Sequence, residues 1–408
     1  MLAPRRLGGD CTVSDLETLL DEAKELLPDL VALRRAIHSE PELGLELPKT
    51  REKVLERLEA LPLEIETHKQ SSAVVATLRG AKPGRSILLR ADMDALPMPE
   101  DTGLPFASKT PGAMHACGHD AHTAMLVGAA QLLAARRAEL RGSVVFMFQP
   151  GEEGHAGARI MLEEGLLERE PKVDAAFALH VAPEFRPGMI ATRGGTLLAS
   201  ADVFEISVRG KGGHASMPHL CRDPIPAACA IVAALQTFIT RSIAATDPAV
   251  ITVTMLRAGT TNNVIPETAT LTGTIRAHSE SAREKAHEGV HQVADGVARA
   301  HGVGAEVKLL PGYPVTVNDG DFDGFVQGVA RELLGERSVV QLPAPFMGAE
   351  DFSYVLQQVT GSMAVIGMRP PGGEAPAPCH SNRMKIDEAG MAHGAALHAA
   401  VALRFLAR

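Results

Sequence analysis

A cluster of histidine, cysteine and aspartate residues lies between positions 114 and 122, where the chain reads MHACGHDAH. Cys117 and His119 flank a glycine, so both side chains can turn towards one metal ion. Three histidines, a cysteine and an aspartate in so short a stretch are typical of a metal site. For any single histidine the alternative, an ordinary polar residue near the start of a helix, remains open.

Two adjacent glutamates, Glu152 and Glu153, follow an apolar run at residues 143–148. Because consecutive side chains of an extended chain point apart, one carboxylate can bind a metal while the other faces substrate and water. A solvated acidic turn would explain the pair equally well if it stood alone.

Two more apolar runs lead into polar side chains in the same way. Residues 86–89 precede Asp94, and residues 173–179 precede His180. In an open α/β sheet, ligands bind beyond the carboxyl ends of the strands. We therefore expect Asp94, the glutamate pair and His180 to converge on one site.

Two further histidines lie in loops rich in glycine or proline. His214 follows the glycine pair at 212–213, where the chain can approach a ligand closely, and His380 follows the loop 370–378. A lone loop histidine is usually a solvated side chain, so neither indicates a site by itself.

Apolar runs that alternate with helical patterns must position these residues, and they predict an α/β domain with a largely parallel sheet. A helix is expected to begin near residue 14, to be interrupted near Pro28 and to resume to about residue 37. Further helices are predicted at residues 121–140 and 389–406.

The middle of the chain follows a different order of elements. Residues 202–209, 249–256, 268–277 and 305–310 are predicted strands, and residues 224–244 and 280–300 are predicted helices. Strand-helix-strand-strand-helix-strand is the order of a ferredoxin-like unit. We therefore predict a catalytic α/β domain at residues 12–195 and 312–408, with an inserted small domain at residues 196–311.

Composition excludes several classes of protein. The 408 residues carry a net charge of −9 and only 3% aromatic side chains, which argues against nucleic-acid binding. No apolar stretch approaches the roughly 20 residues of a membrane span, and no signal peptide is recognised at the start. The five scattered cysteines do not form a disulfide framework, so a cytoplasmic protein is expected.

The ordered set HACGHDAHT, FQPGEEG, GKGGHASMPH, TNNVIPETATLTGTIR and GAEDFS resembles the metallo-aminoacylase and carboxypeptidase superfamily. The resemblance runs from about residue 30 to the final helix and is strongest to the amidohydrolases of N-acyl amino acids. It implies a metal-binding α/β domain with an inserted ferredoxin-like lid that also serves for dimerisation.

The resemblance also implies roles for individual residues. The metal ligands would be Cys117, His119, Glu153, His180 and His380. Glu152 would be the general base, and Asp94 would support the metal ligands. His214 would hold the scissile carbonyl, often across a dimer interface, while Asn263 and Arg276 would bind the substrate backbone and its carboxylate. One departure is Cys379-His380-Ser381-Asn382, where relatives usually show Leu-His-Ser-Pro; Cys379 would be a competing soft ligand or a buried thiol.

Two divalent metal ions are therefore expected, zinc or manganese, with cobalt or nickel as further options. The predicted reaction is hydrolysis of the amide bond of an N-acyl amino acid by a homodimer. A dipeptidase or carboxypeptidase with the same metal site is the second interpretation. A non-catalytic metal-binding protein that keeps the fold is the third, and the presence of Glu152 and all five matched ligands argues against it.

Overall fold

The computed structural model describes residues 13–372 and 375–408 and divides the chain into two compact units. The first unit comprises the chain up to Gly195 together with Asn318–Pro343 and Tyr354–Arg408. The second comprises Thr196–Val317 and Ala344–Ser353. The second unit therefore extends six residues beyond the predicted boundary at 311, and it includes a segment predicted to belong to the catalytic domain. The predicted start at residue 12 lies outside the described residues.

Helices and strands alternate along much of the chain. The helices are α1 Val13–His38, α2 Pro48–Leu58, α3 His119–Ala134, α4 Gly157–Glu163, α5 Pro224–Ser242, α6 Glu280–Ala300, α7 Gly320–Leu334, α8 Ser353–Leu356 and α9 Gly390–Leu406. The strands are β1 Glu64–Thr67, β2 Val74–Arg79, β3 Lys82–Asp92, β4 Arg141–Gln149, β5 Ala175–Ala182, β6 Ile190–Thr192, β7 Gly195–Leu198, β8 Asp202–Arg209, β9 Gly213–His214, β10 Ala249–Ala258, β11 Val264–Ile265, β12 Thr268–Ala277, β13 Gly304–Pro311, β14 Thr316–Asn318, β15 Val339–Gln341 and β16 Gly361–Gly367.

The first unit is built on an eight-stranded sheet in the order β1-β2-β4-β3-β5-β16-β6-β15. The central strands β4, β3, β5 and β16 run parallel to their neighbours within that group. β1, β2 and β6 pair antiparallel with a neighbour, so the sheet is mixed rather than parallel throughout. Because β3, β4 and β5 are parallel, their carboxyl ends meet at one edge of the sheet.

Helices α1, α3 and α9 pack on one another and cover this sheet. Nearly all residues of α3 and α9 are buried, and both helices consist largely of alanine, leucine and glycine. Small side chains allow the two helices to approach closely. A Cβ on Gly394 of α9 would lie 2.0 Å from the sulfur of Met125 in α3, so the Met125 side chain would have to move to admit any larger residue there.

Two predictions for the helices were wrong in detail. The N-terminal helix is continuous through Pro28, which lies inside α1. A proline removes one helical hydrogen bond, but apolar residues on both sides of it, Ala23, Leu30 and Leu33, are buried in the core. Burial of that face stabilises both halves of the helix as one element. Helix α3 ends at Ala134 rather than near residue 140.

The second unit has the predicted strand-helix-strand-strand-helix-strand order, formed by β8, α5, β10, β12, α6 and β13. Its four-stranded sheet runs β10-β12-β8-β13, and each neighbouring pair is antiparallel. Buried and more exposed residues alternate along β8 and β12, which places one face of each strand in the core. This core contains the inward-facing residues of the sheet together with those of α5 and α6.

Helix α5 is long and apolar enough to cross a membrane by length and composition, contrary to the sequence-based expectation that no such stretch exists. Its Ala227, Ile231 and Leu235 are buried in the hydrophobic core of the second unit. One face of α5 therefore packs in that core, while only 22% of its apolar stretch is buried.

Candidate metal centre

The polar side chains converge, as predicted, beyond the carboxyl ends of the central strands. His119 is the first residue of α3 and Cys117 lies just before it, while Glu152 and Glu153 follow β4 after two intervening residues. His180 lies near the end of β5. The loop before α9 contributes the last candidate ligand, His380.

Five overlapping groups of described side chains each bring their potential ligand atoms within 4.8 Å of one another, and three of them consist only of residues predicted for this site. These three are Cys117 with His119 and His180, Cys117 with Glu153 and His380, and His119 with Glu152 and Glu153. The other two are Asp92 with His119 and His122, and Glu152 with Glu350 and Asp351. Cys117 belongs to two of them, so its sulfur can serve two neighbouring metal positions. This is the arrangement expected of a two-metal centre with a shared ligand.

The hydrogen bonds of the two buried histidines fix which ring nitrogen is left for a metal. The Nδ1 of His119 donates to the carbonyl of Asp94 at 2.9 Å, and the Nδ1 of His180 donates to the carbonyl of Val181 at 2.8 Å. Nε2 is therefore the nitrogen of each ring that is left to face a metal ion. The Nε2 of His180 lies 3.3 Å from the sulfur of Cys117.

Two buried atoms of this centre lack hydrogen-bond partners among the described residues. They are the Nε2 of His119, which lies 3.5 Å from an Asp92 oxygen, and the Oε1 of Glu153, which lies 3.3 Å from the Nε2 of His380, and neither contact forms a hydrogen bond. A buried polar atom without a partner costs free energy, and a bound cation would satisfy both atoms. The donor set of one thiolate, three imidazoles and a carboxylate therefore fits divalent metal ions.

The pKa values of the histidines follow from their surroundings. Burial lowers the pKa of His180 to about 3, so this ring is neutral at physiological pH and can bind a metal. Burial also disfavours the charged form of His119, but the Asp92 and Asp94 carboxylates outweigh it and raise its pKa well above the usual range. A metal cation would take the place of that proton.

The thiol of Cys117 has a pKa raised well above its ordinary value. A hydrogen bond with Cys379 is the largest cause, followed by burial and by the negative charges nearby. Cys117 is therefore a thiol as long as no cation is bound. A bound divalent ion reverses this preference, because coordination deprotonates the sulfur.

Asp94 connects two parts of the centre. Its carboxylate accepts the backbone N–H groups of Glu152 at 2.9 Å and of Glu153 at 3.0 Å. Its backbone carbonyl oxygen also accepts a hydrogen bond from the Nδ1 of His119. Asp94 thus holds the backbone of both glutamates and the ring of one histidine.

Asp92 and His122 support the centre in a way that the sequence did not predict. The Nδ1 of His122 donates to Asp92 at 2.6 Å, and its Nε2 accepts the N–H of Val181 at 2.8 Å. Both ring nitrogens of His122 are therefore used, which excludes it as a ligand. Asp92 precedes Asp94 by two residues, and side chains two apart in an extended chain face the same side. This spacing could have indicated Asp92 as a supporting residue from the sequence.

The surroundings of Gly118, which lies between the candidate ligands Cys117 and His119, require a glycine. Gly118 has a φ of 84° and caps the N-terminus of α3. A Cβ at this position would lie 2.4 Å from the side chain of Val181. Only glycine lets Cys117 and His119 turn towards the same side at this close approach.

His380 adopts a left-handed backbone conformation with a φ of 67°, which is unusual for a residue other than glycine. Ser381 donates its N–H to the carbonyl of Pro378, which closes a turn around it. The Nε2 of His380 lies 3.3 Å from Glu153. Such strain is found at functional sites, where the surrounding structure holds it in place.

A buried network of charged side chains joins residues 115–120, which include Cys117 and His119, to α1. Asp120 accepts Arg34 at 2.6 Å and His38 at 2.7 Å, and all three side chains are buried. His38 also reaches Glu100, whose carboxylate accepts the backbone N–H of Ser108. This network fixes the start of α3, where the first two ligands lie.

The remaining predicted residues belong to the second unit. His214 lies in β9 opposite Val264, and the carbonyl of Asn263 accepts the N–H of Ala215 at 3.0 Å, so His214 and Asn263 are close neighbours. The Nδ1 of His214 lies 2.9 Å from the hydroxyl of Ser216. Arg276 lies in β12, where burial lowers the pKa of its guanidinium.

Comparison with known proteins gives consistent similarities. Residues 88–404 match peptidase family M20/M25/M40. A thermostable carboxypeptidase of Saccharolobus solfataricus is 38% identical over 96% of this chain and 98% of its own length. An N-acetylcysteine deacetylase of Bacillus subtilis is 42% identical over 83% of this chain and 88% of its own length.

Among solved structures, a dinuclear metal-binding peptidase of the M20 family from Bacillus subtilis is similar throughout. It is 37% identical, it covers 94% of this chain and 99% of its own length, and the TM-score is 0.81. The chain therefore shares its mixed α/β architecture with that peptidase.

Proposed function

The chain belongs to peptidase family M20/M25/M40, and we propose that it hydrolyses the amide bond of N-acyl amino acids at a two-metal centre. It is a hydrolytic enzyme of the aminoacylase type. The observation that carries the proposal is the convergence of Cys117, His119, Glu153, His180 and His380 beside the buried carboxylate of Glu152. A non-catalytic role would not require that carboxylate.

The two metal ions, when bound, polarise the scissile carbonyl and lower the pKa of a water molecule from ~16 towards ~7. Glu152 is the residue we assign to proton transfer. It takes the proton of the attacking water and delivers it to the departing amine. The carboxylate of Asp94 accepts the backbone N–H of Glu152. This hydrogen bond fixes the loop, so the Glu152 carboxylate is held in place for proton transfer.

The products of this reaction are a carboxylic acid and a free amino acid. We assign Arg276 to the α-carboxylate of the substrate, because a guanidinium forms paired hydrogen bonds with a carboxylate. Asn263 is assigned to the substrate backbone and His214 to the scissile carbonyl. The resemblance of these segments to those of related hydrolases supports the three assignments.

The identity of the metals, the oligomeric state and the location are also part of the proposal. A thiolate and imidazoles favour zinc, while the carboxylate ligand admits manganese, cobalt or nickel. We propose a cytoplasmic homodimer. Support for the location comes from the four described cysteines, Cys117, Cys221, Cys229 and Cys379, which are all free thiols.

A peptidase that releases a C-terminal amino acid is the second candidate. The 38% identity to a carboxypeptidase along nearly the whole chain favours it. The two candidates share the metal centre and Arg276, and they differ in the group that lies on the acyl side of the bond.

The experiment that separates them measures amine release from N-acetyl, N-benzoyl and indoleacetyl amino acids and from matched dipeptides. Each assay is run before chelation, after chelation, and after zinc or manganese is returned. Chelator-sensitive cleavage of acyl amino acids in preference to dipeptides supports the aminoacylase proposal. A preference for dipeptides would replace it with the peptidase, and metal-loaded protein that cleaves none of them would contradict both.

A further inference from the structure

Val181, the residue after the candidate ligand His180 in β5, is held on both sides of its backbone. Its N–H donates to the Nε2 of His122 at 2.8 Å, and its carbonyl oxygen accepts a hydrogen bond from the Nδ1 of His180 at 2.8 Å. Its side chain packs against Gly118, where a Cβ would lie only 2.4 Å away. The position of the Val181 backbone therefore determines where the ring of His180 lies.

His122 can hold Val181 because its own ring is fixed from the opposite side. A backbone N–H can only donate, so the Nε2 of His122 must accept and its Nδ1 must carry the proton that is donated to Asp92 at 2.6 Å. Asp92 also accepts the guanidinium of Arg90 at 2.7 Å, and Arg90 donates to the side-chain oxygen of Gln149 at 2.8 Å. These hydrogen bonds run without a break from the end of β4 through β3 and α3 to β5.

Burial makes this chain of hydrogen bonds rigid. The side chains of Arg90, Asp92 and Gln149 have no exposed surface, and His122 is 1% exposed. Each buried polar group keeps its partner because loss of a hydrogen bond inside the protein is costly. The orientation of the His122 ring is therefore set before any metal binds.

The ring of His122 also packs directly on the rings of two candidate ligands. Its centre lies 4.7 Å from that of His180, with the two ring planes at 65°, and 5.4 Å from that of His119. His122 thus fixes His180 in two ways, through the backbone of Val181 and by contact between the rings.

These contacts converge on one of the two groups of candidate ligands that share Cys117. We call Cys117, His119 and His180 the inner group, and Cys117, Glu153 and His380 the outer group. In the inner group, the Nδ1 of each histidine is held by a backbone carbonyl. In the outer group, the side chain of His380 is 56% exposed. The ring contacts of His122 are with the two histidines of the inner group.

We propose that His122 is a positioning residue for the inner group alone, and that Asp92 enables this role by fixing the proton of the His122 ring on Nδ1. The inference rests on the proposed function, because it requires the inner group to bind a metal ion. It goes further by giving the two metal positions different determinants of affinity. Groups that orient ligand histidines commonly contribute about 10- to 100-fold to metal affinity.

The test compares cobalt(II) affinity in two backgrounds, each of which keeps one group intact. His380→Ala removes a ligand of the outer group, and His180→Ala removes a ligand of the inner group. Metal-free proteins are dialysed against buffered cobalt(II), and bound metal is measured by mass spectrometry. The affinity is thus obtained without an activity assay, and the wild type should bind two cobalt ions.

His122→Phe keeps a ring of similar size and loses both hydrogen bonds. In the His380→Ala background it should lower cobalt affinity by about 10- to 100-fold. In the His180→Ala background the change should stay within about twofold, because the outer group does not depend on His122. His122→Asn can still donate to Asp92 but is too short to reach Val181, so it should show the same contrast and serves as the second variant.

Two controls separate positioning from packing. His122→Gln should keep cobalt affinity in the His380→Ala background within about fivefold of the parent, because its amide oxygen can accept the N–H of Val181. His398→Phe makes the same substitution at another histidine of 1% exposure, whose Nδ1 has no hydrogen-bond partner among the described residues. It should change cobalt affinity by less than about twofold.

Equal losses of cobalt affinity in the two backgrounds would overturn the proposal, because they would show a general structural role of His122. An unchanged affinity of His122→Phe in the His380→Ala background would overturn it as well. A wild-type protein that binds no cobalt would have a different meaning. It would contradict the two-metal centre of the proposed function, and the present inference with it.

Discussion

Glu152 and Glu153 are neighbours in the chain, yet their surroundings give them different chemistry. The Glu153 carboxylate groups with Cys117 and His380, and one of its oxygens is buried without a hydrogen-bond partner. Glu152 is itself buried and groups with His119. Both carboxylates also lie within 4.8 Å of a ring nitrogen of His119, so a group assigned to proton transfer stands directly beside a candidate ligand.

Glu152→Gln should therefore bind metal as the wild type does and lose turnover. Glutamine keeps the shape of the side chain but cannot accept the proton of water, so kcat should fall by about 10²- to 10⁴-fold. Metal content by mass spectrometry and kcat on an N-acyl amino acid provide the test. Glu163→Gln, at the exposed end of α4, is the matched control. Near-normal turnover in Glu152→Gln would exclude this residue as the base.

At the residue scale the sequence predicted which side chains converge, because their order at strand and helix ends implies a common location. Asp92 and His122 were missed as supporting residues, since their contact depends on the register between β3 and α3. His380 was predicted from the resemblance alone. Its left-handed backbone conformation and its closeness to Ala116 depend on the path of a loop. A loop has no hydrophobic periodicity from which that path could be predicted.

Helices α1 and α3 are joined by the buried network of Arg34, His38 and Asp120. Removal of one partner from a buried ion pair leaves the other charge without compensation in a medium of low polarity. The start of α3 carries Cys117 and His119, so the network couples the packing of α1 to the position of two ligands.

Asp120→Asn should lower the free energy of unfolding by about 3–5 kcal/mol, because Arg34 remains buried while its main charged partner is lost. Urea unfolding followed by circular dichroism measures this change. In the control Asp21→Asn, the replaced side chain belongs to an exposed ion pair of α1, so the change should stay below about 1 kcal/mol. Equal, small effects of both substitutions would show that the network adds little to stability.

Glu100 gives the network a dependence on pH. Burial of this carboxyl favours its neutral form, but hydrogen bonds from His38, Thr102 and the backbone of Ser108 prevail and lower its pKa from 4.5 to about 2. A carboxyl whose pKa is lowered by folding stabilises the protein above its ordinary pKa. That contribution is lost as the pH falls from about 4.5 towards about 2.

Glu100→Gln should therefore reduce the loss of stability in acid. Unfolding free energies between about pH 6 and about pH 3 should fall less steeply in this variant than in the wild type, and the variant should be the less stable of the two at neutral pH. Glu139→Gln, at an exposed position, controls for the charge itself. Parallel pH profiles for the wild type and Glu100→Gln would refute the assignment.

At the element scale, apolar runs predicted β3, β4 and β5 of the first unit, and periodicity predicted the order of elements in the second unit. Strands β1, β6, β15 and β16 of the main sheet and helices α2, α4 and α7 were not predicted. Three further features differ from the prediction. The continuity of α1 through Pro28 depends on buried contacts on both sides of the proline. The antiparallel edges of the main sheet depend on which strands become neighbours. The early end of α3 falls in a stretch whose apolar and helix-favouring composition continues beyond Ala134.

In the molecule as a whole, the candidate ligands come from four separate segments of the first unit: residues 117–119, 152–153, 180 and 380. Metal ions bound by all four would cross-link this unit in the folded state. The metal-free protein should therefore be less stable as well as inactive.

Chelation should lower the midpoint of thermal unfolding and abolish hydrolysis, and zinc or manganese should restore both. Ligand binding at a thousand times its dissociation constant contributes about 4 kcal/mol to stability. Differential scanning calorimetry measures the shift, and mass spectrometry verifies that the metal has been removed. Unchanged unfolding and activity in verified metal-free protein would refute the metal centre.

The second unit also includes the short segment Ala344–Ser353, which is separated in the sequence from its main part, Thr196–Val317. The N–H of Ala199 donates to the carbonyl groups of Phe346 and Gly348 at 3.1 and 2.9 Å, and Phe346 donates back to Leu197 at 2.9 Å. Residues 196–317 are therefore not a self-contained module. A chimaera that exchanged them for the matching stretch of a relative would join a foreign β7 to the native 344–353 segment. Both pieces would have to be transplanted together for the graft to keep its own hydrogen bonds.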